Sequence, residues 1–242
     1  MRYGIFSDIH SNLEAFEAVI KAYQKEKIDK YLCLGDIVGY GANPNECVEL
    51  LRALPAVTVA GNHDWASVDS LSLENFNDNA KEAVIWTKSR LSETNKNFLR
   101  GLELVYSRDN YVLAHGSLNE PGNFNYLLNI NDSRLSFELL KSQVCFIGHT
   151  HIPVVFVRNE QGAIHYEDID KIKLEPGNKY VINAGSVGQP RDSITGAAFC
   201  VWDTEKSEVE IKRAPYDVIM ARQKIVDNGL PPFLGDRLLT GN

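Results

Sequence analysis

Short apolar runs alternate with stretches of helical periodicity through the first half of the chain. Tyr3 to Ser7 reads as a short buried strand. Leu13, Phe16, Ala18, Ile20 and Tyr23 then mark an approximate helical stripe that Asn12 can cap. Lys30 to Leu34 is a second strand. Pro44 opens a helix carrying Cys47, Val48, Leu50, Leu51 and Leu54, with Asn43 as its N-cap, and Ala56 to Ala60 is a third strand. This β-α-β-α-β rhythm predicts a parallel sheet covered by helices. Ser67 to Asn79, rich in Ser, Asn and Asp, reads as a loop, followed by helices over Ala80 to Leu91 and Glu93 to Leu99. Leu102 to Tyr106 and Tyr111 to Ala114 suggest a hairpin. Gly116 to Asn131 is a polar loop, Ser133 to Leu140 a short helix and Val144 to Ile147 the next strand.

After His151 the pattern turns to antiparallel β, with strands predicted over Val154–Arg158, Ala163–Glu167, Lys179–Ile182, Ala197–Trp202 and Glu208–Arg213. Asp217 to Asp227 closes as a helix stopped by Gly229 and Pro231. No linker, repeat or low-complexity segment interrupts the chain. The expected architecture is a single domain, residues 1–242, of two packed sheets with helices outside.

The ends of the apolar runs carry the chemistry. Gly61-Asn62-His63-Asp64 follows Ala56–Ala60, and four other runs end in the same residue types: Ser7-Asp8-Ile9-His10, Gly35-Asp36, His115-Gly116 and Gly148-His149-Thr150-His151. Five of the six histidines lie in these stretches. In an open α/β sheet, ligands bind beyond the carboxyl ends of the strands, so these residues are expected to converge. Asp8 and His10, like His149 and His151, are separated by one residue, and both members of each pair can reach one ion where the chain turns. Asp36 offers two oxygens and can join two cations, Asn62 supplies a neutral carbonyl oxygen, and His115 adds an imidazole. Oxygen and nitrogen ligands without thiolate suit Mn²⁺, Fe²⁺, Zn²⁺, Co²⁺ or Ni²⁺ rather than Ca²⁺ or a structural zinc site. His165, in a late hairpin, is expected to be solvated.

Composition limits the partners. The 242 residues are 44% hydrophobic, with ten Phe and ten Tyr, enough for a sizeable core. The net charge is −7 and no Lys/Arg run appears, which argues against a nucleic-acid groove. No apolar stretch approaches the roughly 18 residues that span a bilayer, and no signal peptide is apparent. Cys33, Cys47, Cys145 and Cys200 are dispersed without a C-x-x-C pair and are expected to be buried free thiols. The expected setting is the cytoplasm.

The series Asp8-x-His10, Gly35-Asp36-x-x-Gly39, Gly61-Asn62-His63-Asp64, His115-Gly116 and Gly148-His149-Thr150-His151 resembles the calcineurin-like metallophosphoesterase superfamily. Asn183-Ala184-Gly185-Ser186-Val187-Gly188-Gln189-Pro190-Arg191 is similar to a segment of its compact bacterial phosphodiesterase-like branch. Gly39 to Cys47 looks like the group containing diadenosine tetraphosphate hydrolases and related phosphatases. The resemblance implies a four-layer α/β/β/α sandwich of two mixed sheets with two metals at its upper edge. It implies Asp8, His10, Asp36 and His151 on the first metal and Asp36, Asn62, His115 and His149 on the second, with Asp36 bridging and Mn²⁺ the first choice for reconstitution. Many relatives carry an Asp at the position of Gly39; it is not a metal ligand, so the departure bears on substrate alone.

Two adjacent cations lower the pKa of a shared water, so hydroxide attacks phosphorus in line at neutral pH. His63 is expected to protonate the leaving oxygen or stabilise the transition state, with Asp64 holding its ring. Arg191 is the candidate second phosphate clamp, its planar fork suiting phosphate oxygens, and Tyr40 and Asn119 are candidate pocket residues. The leading reading is a metal-dependent hydrolase of small phosphorylated substrates, dinucleoside polyphosphates or other small nucleotides first. The alternatives are a broad phosphodiesterase or phosphomonoesterase, phosphoprotein included, a nuclease, and a non-catalytic scaffold like the retromer subunit of similar fold. Some relatives form dimers or larger assemblies, which leaves a homo-oligomer open.

Overall fold

Alternation along each strand sends successive side chains to opposite faces, and here both faces are apolar, so each sheet is covered twice. The computed structural model describes residues 1–168 and 170–242. In the first sheet, β1 (Arg2–Phe6), β2 (Lys30–Cys33) and β3 (Ala56–Thr58) run parallel, joined by helices α1 (Leu13–Tyr23) and α2 (Pro44–Arg52). Helices α3 (Asn62–Ala66), α4 (Asp78–Arg90) and α5 (Glu93–Arg100) follow, and then the hairpin β4 (Val105–Ser107) and β5 (Tyr111–Ala114). Helix α6 (Ile130–Leu139) and β6 (Val144–Ile147) lead into β7 (Val154–Arg158), β8 (Ile164–Glu167), β9 (Lys171–Lys173), β10 (Lys179–Asn183), β11 (Ala197–Asp203) and β12 (Glu208–Ala214). Helices α7 (Val218–Asp227) and α8 (Pro232–Asp236) and a 3₁₀ turn, Arg237–Leu239, close the chain.

The strand orders are β3-β2-β1-β11-β12-β9 and β4-β5-β6-β10-β7-β8, each sheet mixed and six-stranded. Ile5, Leu32, Leu113, Phe146, Ile182 and Trp202 meet between the sheets. One residue along, Phe6 and Cys33 pack outward under α1, with Phe16, Val19 and Tyr23. Val112, Cys145 and Val181 pack outward with Phe137 of α6. The result is the expected α/β/β/α sandwich. Burying a large apolar side chain contributes about 1.5–3 kcal/mol, so this double core keeps the strand ends in register.

Several local expectations change. Gly61 caps a five-residue helix that Asn62, His63 and Asp64 begin, and β3 ends at Thr58 rather than Ala60, with Val59 making one isolated bridge to Glu103. Asn12 caps α1 by accepting from Ala15 N at 3.1 Å, but Asn43 makes no such bond at α2 and donates to Glu46 instead. Helix α6 starts three residues early because Asn129 caps it. Strand β9, α8 and the 3₁₀ turn had no prediction. The four cysteines are buried and free, and His165 is half exposed. Among the described residues, no helix is long and apolar enough to cross a membrane.

Candidate metal centre

The loops after β1, β2, β5, β6 and β10 meet at one edge of the paired sheets. Asp8 N donates to Gly35 O and His10 N to Asp36 O, both at 3.0 Å, so the first two loops continue the parallel pairing of their strands. Gly188 N donates to Asp8 O at 2.8 Å and Gly148 N to His115 O at 2.9 Å, which brings in the other three. Asp8, His10, Asp36, His149 and His151 all have positive φ, between 48° and 70°. Left-handed backbone is uncommon outside glycine, although Asp and His are among the residues enriched there, and it costs of order 1–3 kcal/mol per residue. The dense backbone hydrogen bonding overrides that cost and turns each ligand inward directly after its strand. Gly61 lets the third loop in closely: a methyl there would run into the Asp36 carboxylate.

The side chains then divide their polar atoms. Asp8 Oδ2 accepts from His149 N at 3.0 Å, leaving Oδ1 without a partner. Asp36 Oδ1 accepts from His63 N at 2.8 Å, leaving Oδ2 at 3.6 Å from His10 Nε2 and 3.2 Å from His115 Nε2. His10, His115 and His151 donate Nδ1–H to the carbonyls of Val38, Leu34 and Gln189 at 3.1, 2.8 and 2.6 Å. Each ring therefore turns Nε2 toward the carboxylates. His10 Nε2 and His151 Nε2 lie 3.0 Å apart, with Asp8 Oδ1 3.7 and 3.3 Å away. Burial lowers the pKa of both rings, with Asp36 pulling His10 back up and the Arg191 charge lowering His151 further, so both are neutral at neutral pH.

Bare lone pairs facing one another away from water are unfavourable unless a cation sits among them. Buried side chains that could hold a cation gather in three overlapping groups: Asp8, His10 and His151; His10, Asp36 and His63; and Asp36, His115 and His149. Asn62 Oδ1 and His115 Nε2 are also buried without a hydrogen-bond partner. Asp36 Oδ2 lies between the groups, so one oxygen, rather than two, is what the chain offers to both sites. Burial raises the Asp8 and Asp36 carboxyls, but the surrounding histidines outweigh it and hold both well below the ordinary range. These carboxylates and imidazoles fit divalent cations.

His63 belongs only to the group with His10 and Asp36, with its ring centroid 4.9 Å from His10, 4.4 Å from Tyr40 and 5.1 Å from Phe76. Its Nδ1 is buried and unpartnered over Gly39, where a side-chain Cβ would collide with it, leaving Nε2 as the edge open to the cleft. Burial lowers its pKa to about 4, with Asp36 opposing, so the ring is neutral at neutral pH. Asp64 does not hold this ring. Its Oδ1 accepts from Ile37 N and Val38 N at 2.8 and 3.2 Å and its Oδ2 from Gly61 N at 3.0 Å. Asp64 thus ties the Asp36 loop to the start of α3, because the side chain at the third helical position points back over the N-terminus.

A cleft of about 520 Å³ opens above the centre, lined by Tyr40, Asn62, His63, Phe76, Tyr126 and His149 among others. Tyr40 belongs there as expected. Asn119 does not: its backbone N–H turns back to Ser117 Oγ at 3.1 Å, and the same loop presents Phe124 and Tyr126 instead. Tyr126 stacks on His149 at 3.9 Å with planes 8° apart. Arg191 lies with its Cζ 5.7 Å from the Tyr40 ring. Tyr126, Phe76 and Arg237 had no sequence prediction and no local motif marks them, while Gln189 lay inside the Asn183–Arg191 segment without a role assigned to it.

Comparison with known proteins agrees with this geometry. The chain is 42% identical over 243 aligned residues to an uncharacterised protein of Methanocaldococcus jannaschii, covering 98% of this chain and 97% of that one. It is similar to the crystal structure of a metallophosphoesterase from Sphaerobacter thermophilus, at 36% identity and a TM-score of 0.88, covering 100% and 99% of the two chains. A Pyrococcus horikoshii structure shares the fold at 19% identity and a TM-score of 0.78, covering 100% and 98%. Residues 1–207 match the calcineurin-like phosphoesterase superfamily domain. With that match and this donor set on its strand ends, the chain belongs to the calcineurin-like phosphoesterase superfamily.

Proposed function

We propose that the chain hydrolyses phosphoester or phosphoanhydride bonds of small nucleotides, with dinucleoside polyphosphates as the leading substrate class. The observation that carries the reaction class is the cluster of buried carboxylates and imidazoles in overlapping groups, with Asp36 Oδ2 facing both His10 and His115 and with His63 at its edge. Asp8, His10, Asp36 and His151 would hold one cation, and Asp36, Asn62, His115 and His149 the other. Two such cations supply positive charge that acidifies a water and neutralises phosphate oxygens.

His63 acts on the leaving side. Its neutral ring can present Nε2–H to the departing oxygen, and a phosphate anion beside it favours the protonated form from which that proton is given up. Asp64 fixes the loop on which Asp36 rides, and Tyr40 packs against His10 and His63 at 4.5 and 4.4 Å, limiting how either ring can turn. A scaffold protein needs neither the buried bare acceptors nor His63, which favours an enzyme.

The substrate class rests on the cleft. Its volume falls in the roughly 300–1,000 Å³ range of small-molecule sites, and Tyr126, half exposed with one face on His149, can stack a base on the other. The net charge of −7 opposes a long polyanion. The test is hydrolysis by metal-stripped protein with Mn²⁺ restored, against diadenosine tetraphosphate, a bis-ester reporter and a mono-ester reporter. Preference for the dinucleotide is expected. Preference for either ester would establish a broad phosphodiesterase or phosphomonoesterase, and no turnover with two bound ions would establish a scaffold.

A further inference from the structure

Gln189 joins the metal centre to a pair of arginines. Its backbone oxygen accepts the Nδ1–H of His151 at 2.6 Å, and its side-chain oxygen accepts from Arg191 Nε and Nη2 at 3.3 and 2.7 Å and from Arg237 Nη1 at 3.0 Å. Two guanidinium groups thus converge on one neutral amide oxygen. Gln189 is only 2% exposed, and its own amide Nε2 is buried without a partner.

Neighbouring half-buried cations each have a carboxylate: Arg213 pairs with Asp192, Arg222 with Asp236 and Lys224 with Glu14. Among the described residues, no carboxylate side chain lies within ion-pair distance of Arg191 or Arg237, and Asp192, adjacent to Arg191 in sequence, is taken by Arg213. Arg237 also donates Nε–H to the main-chain oxygen of Asn242 and stacks on Phe233 at 5.4 Å. Each guanidinium carries five N–H groups, so both keep donors to spare. Holding this segment in place would be served better by an acid than by a neutral amide, because two like charges share an uncharged acceptor. Burial, and then the adjacent Arg191, push the Arg237 pKa down to about 10.

Arg191 borders the centre, and Arg237 meets it on the Gln189 side-chain oxygen. The Arg191 Cζ lies 5.7 Å from the Tyr40 ring, and that ring is 4.5 Å from His10. The Arg191 backbone N–H donates to His151 O at 3.3 Å. Building on the hydrolase reading above, we propose that Arg191 and Arg237 form a second anion subsite, which takes the phosphate group next to the one under attack and selects phosphoanhydride chains over isolated phosphate esters. Planar guanidinium forks match phosphate oxygens. A monoester, whose single phosphate is spent on the metal centre, has nothing to offer them. Arg237 lies beyond residues 1–207, which match the superfamily domain, so the selectivity is added by the closing helices of this chain.

The test is calorimetric binding of methylenebisphosphonate and of methylphosphonate to the Mn²⁺-loaded full chain, with free Mn²⁺ buffered. The bisphosphonate is expected to bind at least tenfold more tightly, and that preference should shrink about tenfold or vanish in both Arg191→Gln and Arg237→Gln. Arg191→Gln leaves the contacts of Arg237 with Asn242 and Phe233 in place, so agreement between the two variants separates ligand binding from support of the chain end. No preference in the wild type, or an undiminished preference in either variant, overturns the subsite. Arginine-dependent preference in a protein that hydrolyses none of the phosphate panel would keep the subsite and remove the hydrolase reading. Turnover without the preference would do the reverse.

Discussion

His10 Nε2 and His151 Nε2 face each other at 3.0 Å although each ring has already committed its Nδ1 proton to a backbone carbonyl. Neither nitrogen has a hydrogen to give the other, and a cation relieves the conflict. Mn²⁺ should therefore stabilise the fold: at a free concentration a thousandfold above Kd, linkage gives about 4 kcal/mol, or about 10 °C in Tm for a chain of this size. His151→Ala should lower bound metal from two ions to one. Thermal unfolding with and without chelator, alongside elemental analysis, measures both, and a Tm indifferent to Mn²⁺ would remove the metal assignment.

Asp36 couples the two sites through one atom, since Oδ1 is held by His63 N and Oδ2 faces both His10 and His115. Asp36→Asn keeps the shape but removes the shared charge. Loss of both metals and of all turnover is expected. Retention of normal metal content by this variant would show that the sites are independent.

His63 and Gly39 are a matched pair: the ring lies over a glycine of φ +93°, where any Cβ would strike Nδ1. His63→Ala should keep both metals and lose turnover by about 10²–10⁴-fold, the usual contribution of a positioned acid. Gly39→Ala should displace the ring and lower kcat at unchanged metal content. An unchanged rate in His63→Ala would take the residue out of the mechanism.

The strand ends were legible because a parallel sheet advertises itself as apolar runs, and Asp, Asn and His directly after such runs have few structural uses. Residue type and spacing marked the candidate ligands, and the family resemblance supplied their division between two metals. Other features leave no such trace. Helix α3 is five residues long, is capped by a glycine and is too short for periodicity to register, while β9 is a three-residue edge strand with Lys at both ends. Asp64, adjacent to His63 in sequence, is separated from its ring in space by the turn of the helix. Gln189 acts partly through its backbone oxygen, which any residue possesses, and Arg237 reaches the site from 46 positions beyond Arg191 in the numbering. Only tertiary packing reveals these partnerships.

Asp64 illustrates what that packing changes. Burial and the neighbouring Asp36 raise its carboxyl pKa, against the backbone N–H groups it accepts from, which favour the charged form. Asp64→Ala would leave Ile37 N, Val38 N and Gly61 N buried without an acceptor, at about 1–3 kcal/mol for each group left unsatisfied. A loss of about 3 kcal/mol or more in denaturant unfolding of the chelated protein is expected, with weakened metal binding as the Asp36 loop loosens. Full stability with reduced kcat would instead restore Asp64 to the role of holding His63.

His115 makes metal binding depend on pH. Burial disfavours its charge, but Asp36 and Asp8, 3.2 and 3.8 Å from Nε2, prevail and raise its pKa to about 9 in the metal-free protein. That is above the roughly 6.5 of an exposed histidine, so its proton stabilises the metal-free fold fully below about pH 6.5, and the contribution disappears as pH rises through about 9. A cation at the second site must displace that proton, whereas His149, lowered to about 3 by burial and then by His115, has none to lose at neutral pH. Metal affinity at this site should rise about tenfold per pH unit between pH 7 and 9, because one proton leaves as one ion enters. Calorimetry at pH 7.5 in two buffers of different ionisation enthalpy should show about one proton released in the wild type and about none in His115→Gln. Equal heats in the two buffers for the wild type would mean that His115 is already neutral, and that the two carboxylates do not govern it.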